Sequence, residues 1–124
     1  MWIFTETGFV NADATEPGGD ELRVRARDIK SLEKLCELGN VQILELVDHD
    51  FPYRVFVPKK VFQRWMKQLI ASVGYTEFPD RAYEKRGRIF AEALDRVWLG
   101  IKEILDTSER DEIRRHYRLE RWER

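Results

Sequence analysis

Cysteine is nearly absent from this chain. Cys36 stands alone among 124 residues, so no internal disulfide can form, and a reducing, intracellular compartment is expected. Histidine is as scarce: His49 and His116 lie far apart, and with a single cysteine they cannot assemble a closed transition-metal site. No metal and no cofactor are therefore expected. No run approaches the ~18 apolar residues of a spanning helix. The start, MWIFTETGF, lacks the basic region and long apolar run of a signal peptide. The expectation is a cytoplasmic protein without a membrane partner. Glycine-rich phosphate loops are missing, since Gly18-Gly19 alone is too common a pair to signal one. An excess of either charge is missing too. The 22 Lys and Arg against 23 Asp and Glu leave a net charge of −1, so binding to nucleic acid would need a local patch.

What is present is a packed interior under a charged surface: 43% hydrophobic, 36% charged and 12% aromatic residues. That balance excludes wholesale disorder, and the length suits one core. A single α+β domain is expected over 1–105, with a charged helical extension over 106–124. The organising stretch is Glu21 to Leu38. Leu22, Val24 and Ala26 alternate with Arg23, Arg25 and Arg27, and a period of two sends the two sets to opposite faces of a strand. Asp28 is placed to cap a following helix, in which Ile29, Leu32, Leu35 and Cys36 recur at helical spacing before Gly39 stops it.

Around this centre, Trp2 to Thr5 and Phe9 to Ala12 read as a β-hairpin with a three-residue turn, Gly8 being left-handed. Asp13 to Asp20 carries Pro17, Gly18 and Gly19 and reads as a loop. Val41 to Val47 reads as a well-covered strand, and Tyr53 to Val57 as another, ended by Pro58, which opens a helix. That helix carries Val61, Phe62, Trp65, Met66, Leu69, Ile70 and Val73 as an apolar stripe. Phe78, before Pro79, is expected outside helical geometry. A single long helix is expected from about Asp80 to Leu105, its apolar face from Ile89 to Leu105 packing on the sheet or a helix and contributing most to the core. The tail beyond is a charged helix with Ile113, Tyr117 and Trp122 as its few anchors. The segment Leu22 to Ile70 reads βαββα, the first five elements of the ferredoxin-like arrangement. The expected fold is thus a ferredoxin-like-related antiparallel sheet with an N-terminal β-hairpin, covered by helices, plus a long C-terminal helix and charged tail.

The candidate site follows from the strand faces. Arg23, Arg25 and Arg27, with Arg54 and Phe56 on a later strand and Trp2 and Phe4 on the hairpin, form one surface if all share the open side of the sheet. Guanidinium groups and rings together bind phosphates and stack bases. The same residue types dominate protein interfaces. The plain alternative is a strand face kept soluble by arginine, with Glu21 and Glu45 as partners. Asp48-His49-Asp50 reads as a turn, Cys36 as a small buried group, and no constellation for nucleophilic or acid-base catalysis stands out. No enzymatic activity is expected.

The stretches MWIFTETGFVNAD, LRVRARDIKSLEKL and YRVFVP resemble a family of small uncharacterised proteins encoded mainly in phages and in actinobacterial or mobile-element genomes. Its members open with Trp-Ile/Leu-Phe and Gly-Phe, continue with an LxVRAR strand, and carry Tyr-Arg in a strand ending in Val-Pro. The resemblance covers about residues 1–75. It implies a non-enzymatic accessory protein that binds a host or phage protein, such as a defence component, and brings no catalytic residues or cofactor. Self-association through the sheet or the C-terminal helices is expected alongside. The alternative is a nucleotide ligand or nucleic acid bound on the arginine and aromatic face.

Overall fold

Short apolar and aromatic runs divided by turn-forming residues set out the strands in order. The computed structural model describes residues 1–47, 49–104, 112 and 114–116. The elements are β1 (Trp2–Thr5), β2 (Gly8–Ala14), β3 (Glu21–Ala26), α1 (Glu33–Gly39), β4 (Leu44–Glu45), β5 (Tyr53–Pro58), α2 (Lys59–Ser72), α3 (Phe78–Arg86) and α4 (Arg88–Lys102). Among the described residues, the five strands form one antiparallel sheet in the order β1-β2-β3-β5-β4. The fold is α+β, with helices packed on the sheet. The chain divides into two compact units, Met1–Ala91 and Glu92–Arg124. No helix of the described residues is long and apolar enough to cross a membrane.

Alternation decides where the core lies. Val10, Ala12, Val24, Ala26, Val55 and Val57 all leave one side of the sheet and are buried against Leu32 and Leu35 of the α1 region and Phe62 and Trp65 of α2. Burying a Leu or Phe side chain contributes about 1.5–3 kcal/mol, so this layer carries the first unit's stability. Asp28 caps the turn that leads into α1: its Oδ1 accepts from the Ser31 amide at 2.9 Å and from the Ser31 hydroxyl at 2.7 Å. Asn40, at φ 50°, closes α1 just after Gly39.

Several expectations need correction. The hairpin turn has two residues, Glu6 and Thr7, with Thr5 paired to Gly8, and Gly8 is not left-handed. Its role is steric: a Cβ there would lie 2.7 Å from Ser31 Cβ and 2.8 Å from Ser31 Cα. The strand expected over Val41 to Val47 shrinks to Leu44–Glu45 at the sheet edge, where Leu44, Leu46 and Val47 are exposed. Phe78 opens α3, since the residue that leaves helical geometry is Glu77, at φ −54° and ψ 107°, and proline is tolerated in a first turn. The long helix is two helices divided at Gly87, whose φ of 87° and ψ of 179° belong to a region that glycine alone enters cheaply. Finally, none of the described residues of α4 is buried, although its spacing is amphipathic. The charged extension over 106–124 falls outside the described residues, save Glu112 and Arg114 to His116.

Candidate ligand-binding face

Residues paired directly across antiparallel strands project to the same side of a sheet. The register therefore assembles the opposite face row by row. Phe4 pairs with Phe9 in one row. In the next, Trp2 pairs with Asn11, Asn11 with Arg25, Arg25 with Arg54, and Arg54 with Leu44, crossing all five strands. In the third, Asp13 pairs with Arg23 and Arg23 with Phe56. Trp2, Phe4, Arg23, Arg25, Arg54 and Phe56 thus share the face away from the buried valines. Arg27 does not join the row. It lies past the end of β3, where its Nη1 donates to the Asp50 carbonyl at 2.5 Å.

The rings form a continuous cluster. Phe4 stacks on Phe9 with centroids 4.2 Å apart and planes 9° from parallel, and Trp2 meets Phe9 edge-on at 5.7 Å. Phe9 lies 6.0 Å from Phe51, over which the Arg25 guanidinium sits at 5.3 Å. Trp2 keeps 67% of its surface exposed and Phe4 37%, so the outer rings remain open to a ligand.

Electrostatically the face is unbalanced. Asp13 bonds Arg23 at 2.5 Å and lies 3.9 Å from Arg25, and it is the carboxylate ion-paired to these arginines, not Glu21 or Glu45. The Arg23 hydrogen bond holds the Asp13 carboxyl below its ordinary pKa, against the opposing effect of burial. Among the described residues, three guanidinium groups thus share this face with the one carboxylate of Asp13, and Arg25 and Arg54 stand directly opposite each other, an arrangement that costs stability unless an anion intervenes. The Nε atoms of Arg23, Arg25 and Arg54 and the Oδ1 of Asp13 are buried with no hydrogen-bond partner. Sequence reasoning missed Phe9, Asn11, Asp13 and Phe51. The first three were recoverable from the hairpin register and the antiparallel alternation of β2, whereas Phe51 sits in a loop with no periodicity.

The other side of the first unit carries a separate polar cluster. Glu6, in the hairpin turn and only 4% exposed, accepts from Arg81 Nε at 2.6 Å and Nη2 at 3.1 Å and pairs with Lys85 at 2.8 Å. The hydrogen bonds from Arg81 and then Lys85 lower its pKa to about 2, outweighing desolvation. Arg86 bonds Asp28 at 2.6 Å and the Thr7 carbonyl at 2.7 Å, and its guanidinium lies 4.4 Å over Phe90. A cleft of about 400 Å³ beside Glu6 is lined by Lys30, Ser31, Lys34, Trp65 and Lys85 among others. Cys36 donates its thiol proton to the Val41 carbonyl. Among the described residues no group of three or more His, Cys, Asp and Glu could hold a metal ion. Compared with known protein families, with curated proteins and with solved structures, the chain matches none of them.

Proposed function

We propose that this chain is a non-enzymatic binding protein that acts by occupying a partner, and that it does so with the sheet face opposite the buried valines. The observation that carries the reading is the row Trp2, Asn11, Arg25, Arg54, flanked by stacked rings and by Arg23, which shares the Asp13 carboxylate with Arg25. Such a surface suits an anionic partner, because a charge-assisted guanidinium contact is about twice as strong as a neutral hydrogen bond. The sheet order supports the ferredoxin-like-related reading of the fold: β5 lies between β3 and β4, antiparallel to both, while β2 takes the outer position beside β3.

Two classes of partner fit. One is an acidic surface on a host or phage protein, the accessory role implied by the phage-type resemblance, with self-association through α4. Trp98 and Ile101 on α4 are 59% and 54% exposed, which favours a contact there. The second is a nucleotide or nucleic acid, favoured by the opposed pair Arg25 and Arg54 beside open rings. Reversing charge at Arg23 and Arg25 to Glu tests the shared reading. Capture of any anionic partner is expected to disappear, whereas retention of every interaction would remove the sheet face from consideration.

A further inference from the structure

We infer that the sheet face takes a single strand of nucleic acid laid across the strands, phosphate toward Arg25 and Arg54 and bases toward Phe4 and Trp2, with Asp13 acting as a built-in competitor for the arginines. The inference rests on the reading of this face as a binding surface. Adjacent strands lie about 4.8 Å apart, so the row from Trp2 on β1 to Arg54 on β5 spans about 14 Å, a length that a dinucleotide bridges. One end of the row holds two opposed guanidinium groups, which a phosphate between them would reconcile. The other end holds the Phe4 and Phe9 stack and the open Trp2 ring, and bases stack on such rings whatever their identity. Between the ends, the Asn11 amide offers both a donor and an acceptor to a base edge.

The rings argue for unpaired bases. A duplex keeps its bases stacked on one another and offers this face only phosphates. An acidic peptide would neutralise the arginines but leave the aromatic end unused. Asp13 matters because it holds Arg23 and stands 3.9 Å from Arg25. A phosphate must approach beside that carboxylate, so the charge of Asp13 weakens the very ligand that Arg25 and Arg54 attract.

The test is fluorescence anisotropy of a labelled twelve-residue oligo-dT and its ribose counterpart against the full chain, with a duplex of equal length, polyglutamate and inorganic pyrophosphate as competitors. Arg54→Ala is expected to weaken strand binding about tenfold and lower the salt slope by about one, and Arg54→Lys to retain that slope. Phe4→Ala is expected to weaken binding about tenfold with the slope unchanged. Asp13→Asn is expected to tighten it about threefold or more, an effect that a merely structural role for Asp13 would not produce. Circular dichroism on each variant confirms folding. Absence of strand binding, equal binding of duplex, or indifference to Phe4→Ala overturns the inference. If polyglutamate or pyrophosphate then still binds with dependence on Arg54, the anionic-partner reading survives without it. If neither binds, both fall.

Discussion

The Arg81 guanidinium grips the Glu6 carboxylate with two hydrogen bonds across 75 residues of chain, tying the hairpin turn to α3. Because the folded pKa of Glu6 is about 2 against an ordinary 4.5, the group contributes its full stabilisation above about pH 4.5 and loses it as pH falls toward 2. Glu6→Gln is expected to cost about 1–3 kcal/mol at neutral pH. Thermal melts at pH 7, 4.5 and 3 check this: the gap between wild type and variant should narrow as acid is added, and a gap that is constant with pH would contradict the ion-pair account.

Gly8 packs its backbone against Ser31, whose hydroxyl also accepts the Phe9 amide at 3.2 Å. Gly8→Ala pushes a methyl into backbone as well as side chain and is expected to destabilise by about 1–3 kcal/mol. Ser31→Gly in the same background should recover only part of that loss, since the Ser31 Cα remains 2.8 Å away. Denaturant unfolding of the single and double variants measures both.

Arg25 and Arg54 are direct cross-strand partners on β3 and β5, and like charges so paired destabilise a sheet. Arg54→Thr, which adds a residue of high strand preference and removes a charge, is expected to leave stability unchanged or raise it by up to about 1 kcal/mol. The same variant should lose anionic-ligand binding. A marked fall in melting temperature would instead assign Arg54 a structural role.

Two tryptophans on helices of similar pattern should behave in opposite ways. Trp65, buried on α2, is expected to cost about 3–5 kcal/mol when changed to Ala. Trp98 on α4 is more than half exposed, and Trp98→Gln should move stability by less than about 0.5 kcal/mol. If Trp98→Gln instead splits an oligomer in light scattering, α4 is a self-association surface.

These contrasts mark what local pattern can reveal. Alternation in Leu22 to Arg27 already separated a core face from an arginine face, since a period of two is a property of the strand itself. The same rule put Trp2, Phe4, Arg54 and Phe56 on the open side once register paired the strands. Amphipathic spacing in α2 found Phe62 and Trp65 in the same way. It failed for α4, because periodicity says which residues share a helix face and not whether anything covers that face.

The sequence by itself therefore determined the α+β class, the helix and strand order through α2, and the division of the central strand into two faces, all set by interactions within a few residues. Tertiary structure alone decided the rest. Asp13 became the carboxylate paired to Arg23, Phe51 moved under Arg25, Glu6 met Arg81, and Gly87 divided one expected helix into two. Each depends on strand register, on a loop without period, or on a backbone angle that glycine permits but does not require.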